Sequence, residues 1–245
     1  MQLRSSLLTK YKLLNIAAIL ALLVASLPFG MTTAQAAGSI SLTSIGDDYF
    51  QDFNTLAITG TSSVLPNGWY FVETGTNANT LYSAGTGSGN TGDTYSFGAT
   101  GSSERAFGGL LSGSLNPTIG AQFVNDTGGS INALSISYTG EMWRAGVPNR
   151  GAADRLDFQY STDATSLSTG TWEHVDELDF NSPNINAAVG ALSGNSSGNQ
   201  AAVSFAVAGL NIPAGASFWI RWTDFNISSS DDGLAVDDFS LTPEI

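Results

Sequence analysis

The residues best suited to chemistry lie in one stretch, Phe218 to Leu241, which reads FWIRWTDFNISSSDDGLAVDDFSL. It sets Asp224, Asn226, Asp231 and Asp232 between two runs of strand-forming residues, then places Asp237 and Asp238 inside the second run. An unpaired buried charge costs several kcal/mol, so adjacent carboxylates in an apolar strand need a compensating partner. Only oxygen donors are on offer, which suits a hard cation. Calcium is expected over zinc for that reason, and over magnesium because flexible loops accommodate its higher coordination number. The expected ligands are Asp224, Asn226, Asp231, Asp237 and Asp238, joined by Asp52 and Asn54 of YFQDFNTL through side-by-side pairing of the first and last strands. An EF-hand is excluded, because counting from Asp224 the sixth position is Ser229 rather than Gly and the twelfth is Ala235 rather than Glu. The competing reading of the loop is a set of Asx turns, whose side chains bond their own backbone.

A second group of residues suits a ligand rather than a metal. Tyr138, Trp143 and Trp219, with Trp69, offer flat faces for stacking on sugars, and Glu141, Arg144 and Arg221 offer charged partners for hydroxyls. Core packing is the ordinary fate of such rings in β proteins. Glycoside hydrolysis needs two carboxylates across a cleft, and Glu104 and Glu141 are the candidates. Arg105 and Arg144 follow them closely, however, and structural Glu–Arg pairs are the plainer expectation. Two motif matches fail on context. Gly87 to Gly92 fits GxGxxG but lies in a Gly/Ser/Thr-rich loop with no helix to follow, and Gly194 to Gly198 fits GxSxG with no histidine after Ser196. The one histidine, His174, excludes a histidine-built metal site. No catalytic residue is expected.

The elements that must hold these groups read as strands. In Phe218 to Thr223 the alternation sends Phe218, Ile220 and Trp222 one way and Trp219, Arg221 and Thr223 the other. This run and Leu234 to Leu241 are expected to form a β-hairpin, with the acidic loop at its end. Further strand candidates are Tyr49 to Leu56, Gly68 to Glu73, Ile119 to Val124, Leu134 to Thr139, Leu156 to Tyr160, Trp172 to Val175 and Val203 to Val207. Residues 74 to 103 read as a long loop with little core. Many short strands without intervening helices indicate an all-β fold, an antiparallel β-sandwich of the jelly-roll kind.

The N-terminus carries an export signal pattern. Arg4, Lys10 and Lys12 precede the apolar run Leu13 to Leu27, and Ala34-Gln35-Ala36 is an A-x-A cleavage site. Residues 1–36 are therefore expected to be a cleaved signal peptide, leaving 245 − 36 = 209 residues as a single domain with no stable membrane span. That remainder keeps five arginines and all 21 acidic residues, a net charge of 5 − 21 = −16. Such a surface repels phosphate backbones, so no nucleic-acid partner is expected. Cysteine is absent, so the core must hold an exported chain without disulfides.

The segments YTGEMWR, DRLDFQYS, GTWEHVDELDFNSP and WIRWTDFNISSSDDGLAVDDFSLT resemble a widespread module of bacterial exported proteins. That module is found beside surface-sorting tails of the PEP-CTERM kind or appended to secreted hydrolases and nucleases. The segment GLAVDDFSL is also similar to the closing strand of MAM-type and carbohydrate-binding jelly rolls. The resemblance covers most of Phe50 to Thr242 and implies a concanavalin-like or carbohydrate-binding-like jelly roll with a non-catalytic role. The chain stops at Pro243-Glu244-Ile245 with no sorting helix or basic tail, so anchoring by that route is not expected. The expected function is a secreted or cell-surface binding module whose candidate partner is a polysaccharide or cell-surface glycan. A structural or adhesive envelope component comes second and a secreted glycosidase third.

Overall fold

Alternating apolar residues between Gly, Asn and Asp turns leave the chain no helical face to bury, and the architecture follows. The computed structural model describes residues 34–35 and 38–245, which belong to one compact unit. In chain order the strands that carry the fold are β1 (Tyr49–Gln51), β2 (Trp69–Thr74), β3 (Tyr82–Gly85), β4 (Asp93–Phe97), β5 (Ala106–Leu110) and β6 (Asn116–Asn125). They are followed by β7 (Ile131–Ala145), β8 (Arg155–Ser161), β9 (Gln200–Ile212), β10 (Ser217–Phe225) and β11 (Gly233–Glu244). Helical structure among the described residues is one 3-10 turn, Asp176–Leu178. None is long and apolar enough to cross a membrane. The proposed signal peptide lies almost wholly outside the described residues.

Two sheets pack face to face. The first has the order β2-β6-β10-β8, and the second β7-β11-β5-β4-β3, with β9 on the free side of β7 and β1 beside β11. The sheets are mixed rather than wholly antiparallel, because Ile40–Leu42 runs parallel to β6 and β3 runs parallel to β4. The alternation in β10 is as expected: Phe218, Ile220 and Trp222 enter the core between the sheets. Trp222 stacks on Trp69 with centroids 6.1 Å apart, and Phe239 meets both rings edge-on, arrangements that aromatic quadrupoles favour.

The structure corrects two expectations. β10 and β11 are not a hairpin, since they lie in different sheets and residues 226–232 cross from one to the other. β10 is flanked on both sides, by β6 and β8, and has no edge left for β11. Residues 74–103 are also not an empty loop. They contain β3 and β4, whose Tyr82 and Phe97 are buried. The polar residues hid these strands because their hydrogen bonds are met in the interior, as where buried Glu73 accepts from both the amide and the hydroxyl of Thr94. The expected pairing of first and last strands is present, with Phe239 opposite Gln51.

Candidate functional site

The outer face of the second sheet is built by alternation in β4 and β7. Tyr95 and Phe97 project from β4 and stack with centroids 4.8 Å apart, and Phe97 lies parallel to Trp143 of β7 at 6.1 Å. Trp143 is the buried end of this row and Tyr95 the half-exposed end. Tyr95 fits because β3 has Gly85 beneath it, where a Cβ would come within 2.8 Å of the ring. Its hydroxyl donates to the Thr91 carbonyl at 2.8 Å, and burial, followed by the Asp93 charge, pushes the phenol up to about 12. It remains a neutral phenol.

Tyr95 forms part of the wall of a groove of about 530 Å³, completed by Thr59, Ser83, Thr86, Ser88 and Arg144 among others. Arg144 Nη1 donates to the carbonyls of Gly87 (3.0 Å) and Ser88 (3.2 Å), fixing the glycine-rich wall. Gly87 needs its identity: φ is +75°, and a Cβ there would sit 1.8 Å from the Trp143 carbonyl oxygen.

Of the residues read from the sequence as sugar contacts, only Arg144 lines this groove. Trp143 is 2% exposed and Tyr138 and Trp219 are each 3% exposed, so none presents a free face. Tyr138 donates to the Leu178 carbonyl at 2.6 Å inside the core. Trp219 lies on the outer face of the first sheet under Leu167 and beside Tyr70. Arg221 spends its guanidinium on the Gln159 side chain and the Leu167 carbonyl, each at 2.6 Å, and stacks over Trp172 at 3.9 Å. Glu141 accepts from Trp143 Nε1 (2.8 Å) and Asn195 Nδ2 (3.1 Å). The residue that sequence reasoning missed is Tyr95, whose signal, alternation with Phe97 in DTYSF, was lost in a stretch read as loop.

The carboxylates separate into two clusters. Oxygens of Glu104, Glu141 and Asp237 converge within 4.8 Å on the outer face of the second sheet. Burial pushes Glu141 up to about 7 and Asp237, which also feels the charges of Glu141 and Asp238, up to about 9. The two residues named for glycoside cleavage do meet here, but Glu141 is 2% exposed and its oxygens are occupied by Trp143 and Asn195. Nor do the expected Glu–Arg pairs form, since Arg144 serves the glycine-rich wall and Arg105 donates to Ser96. Asp52 and Asn54 bond each other in an Asx turn, and Asn54 also accepts from the Arg105 amide. Asp238 is exposed at φ +47°, where the ladder to β7 shifts register. That bulge is how two successive carboxylates fit an apolar strand: Asp237 turns under the outer-face loops while Phe239 returns to the core.

The second cluster brings Asp224 and Asp231 together, as expected, and adds Asp154, which the sequence did not single out. Asp154 stands just before β8, Asp224 near the end of β10, and Asp231 on the crossing loop. Asn226 is exposed on that loop. Desolvation, followed by the charges of Asp154 and Asp231, raises Asp224 well above the ordinary carboxylate range. Asp154 rises to about 7, mainly through burial.

No family model matches the chain, and no curated protein matches its sequence. Solved structures give distant likenesses. The K3 cleaved adhesin domain of Lys-gingipain from Porphyromonas gingivalis is 14% identical, with a TM-score of 0.42 over 72% of this chain and 92% of that one. The module TmCBM61, determined with beta-1,4-galactotriose, is 10% identical, with a TM-score of 0.35 over 71% of this chain and 88% of that one. A family 35 carbohydrate binding module from Clostridium thermocellum is 14% identical, with a TM-score of 0.30 over 62% and 85% of the two chains. The all-β sandwich rests on the chain's own two sheets.

Proposed function

We propose that this chain is an exported, non-catalytic binding module that takes a carbohydrate in the groove beside Tyr95. The reading rests on the groove rather than on structural likeness. One aromatic face, held by a buried stack, sits among serine and threonine hydroxyls and a fixed arginine, the mixture of apolar surface and few placed polar groups that orients a small ligand. The arginine-stiffened loop is preformed, so little ordering entropy opposes binding. Calcium enters the reading as a structural ion rather than a reactant.

Affinity electrophoresis through gels containing neutral polysaccharides tests the groove. Tyr95→Ala is expected to lose the retention shown by the unaltered chain, with a smaller fall in melting temperature than Trp143→Ala causes. Retention unchanged in Tyr95→Ala overturns the assignment. Export is tested by sequencing the N-terminus of secreted protein, expected to begin at Ala37.

One observation favours the structural or adhesive reading. β9 is a long edge strand, QAAVSFAVAGLNI, with no charged residue and with Phe205 39% exposed, and uncharged edges are templates for pairing between chains. Sedimentation that shows assembly with rising concentration, abolished by Phe205→Asp, supports it. A monomer at every concentration removes it.

A further inference from the structure

Asp224 lies at the centre of a cluster that its own protein groups do not satisfy. The residue is 7% exposed, and neither carboxylate oxygen has a hydrogen-bond partner. The Leu111 amide lies close enough to favour the charged form but falls short of hydrogen-bond geometry. No neighbouring donor reaches Asp224: Nε and Nη1 of Arg150 are themselves buried without a partner, and the other groups are engaged elsewhere. Asp154 takes the amides of Arg155 (2.8 Å) and Asp232 (2.6 Å), and Asp231 takes the amide of Ile227 at 3.2 Å. Arg150 turns its Nη2 to Asp232 at 3.1 Å and to the Ser230 carbonyl. Four ionised carboxylates, Asp154, Asp224, Asp231 and Asp232, against one guanidinium would leave 1 − 4 = −3 in a nearly dry site. A buried charge without a partner is strongly unfavourable, so either protons or a cation must occupy the space between these oxygens.

We propose that the carboxylates of Asp154, Asp224 and Asp231 bind one calcium ion, which ties the crossing loop 226–232 to the ends of β8 and β10. Three oxygen donors lie within 4.8 Å of one another, each from a different segment, a spread that one cation with a large and adaptable coordination sphere can bridge. A divalent ion lowers the local charge to −1. The remaining coordination positions are open to water, because Asp231, Ser229 and Ser230 line a groove of about 490 Å³ that reaches solvent. Calcium is favoured over zinc by the all-oxygen donor set, and over magnesium because loop-borne ligands from three segments do not impose octahedral geometry. The inference does not rest on the carbohydrate reading: none of the three carboxylates lines the groove beside Tyr95, although the two grooves share Leu110 and Arg144.

The test is a calorimetric titration of the full chain with calcium, paired with melting curves in chelator and in millimolar calcium. The unaltered chain should bind one ion at this site and melt higher in calcium, with magnesium a poor substitute. Asp224→Asn should weaken calcium binding by at least tenfold and erase the difference between the two melting curves. It removes a buried charge, so in chelator it should melt no lower than the unaltered chain, which separates loss of the ion from loss of the fold. Asp231→Asn, on the solvent side of the cluster, should act in the same direction. Identical melts in chelator and calcium with no binding heat would overturn the proposal and leave a protonated carboxyl at Asp224. A calcium response that survives Asp224→Asn and disappears in Glu141→Gln would also overturn it, by placing the ion in the other cluster.

Discussion

The backbone N–H of Asp232 donates a 2.6 Å hydrogen bond to the carboxylate of Asp154, joining the crossing loop to the segment that opens β8. Asp232 then uses both of its own oxygens. Oδ1 accepts from the Gly146 amide (2.8 Å) and Arg150 (3.1 Å), and Oδ2 from the Ser182 hydroxyl (2.7 Å). The ends of strands β7, β8 and β11 are thus tied at one end of the sandwich through a single buried network.

Asp232→Ala should be among the most damaging single changes. It strands the Arg150 guanidinium in the interior and removes three accepted hydrogen bonds, so a loss of about 3–5 kcal/mol is expected in urea unfolding. A loss below about 1 kcal/mol would show that water replaces the carboxylate and that the end of the sandwich is looser than its hydrogen bonds imply.

Trp143→Ala should cost about 3–5 kcal/mol, because it empties the buried end of the aromatic row. Trp143→Phe keeps most of the stacking but removes the donor to Glu141, so its cost should fall in the range of one lost hydrogen bond to a buried acceptor, about 1–3 kcal/mol. Equal costs for the two variants would show that Nε1, not the ring, dominates.

Stability should fall as pH rises from about 4 toward about 9. The Glu141 and Asp237 carboxyls are held at about 7 and about 9, above their unfolded values, so the folded chain keeps protons that the unfolded chain has released. A group raised in this way stabilises fully below its unfolded pKa and loses that contribution as pH climbs through the folded one. The urea midpoint in chelator is expected to drop between about pH 4 and pH 9, and Glu141→Gln should flatten the part of the drop below about pH 7. A midpoint rising across that interval would contradict the burial of the cluster.

Gly87→Ala should disturb the groove more than the fold. The added Cβ meets the Trp143 carbonyl at 1.8 Å and φ is +75°, so the loop must move and the two hydrogen bonds from Arg144 should be lost. Polysaccharide retention is expected to weaken with only a modest change in melting temperature, since the loop lies at the surface. Retention equal to that of the unaltered chain would show that the loop is not a wall of the binding groove.

The sequence by itself determined the class of fold and the faces of its strongest strands. Phe218, Ile220 and Trp222 enter the core as their spacing requires, because side chains on a strand alternate by geometry whatever the partner. It also singled out Asp224 and Asp231 as neighbours along the chain, although the fold of the crossing loop is what brings their oxygens together and leaves Asn226 exposed. What it left open is what covers each face and which edge each strand meets. Trp219 and Trp143 point outward from their sheets, as alternation says, yet loops carrying Leu167 and Gly194 close over them. Whether two neighbouring apolar strands make a hairpin or an arch between sheets depends on which edges are already filled, and β10 had none free. Asp154 joins a cluster with residues some seventy positions further along the chain, an encounter that only the packing of the two sheets brings about.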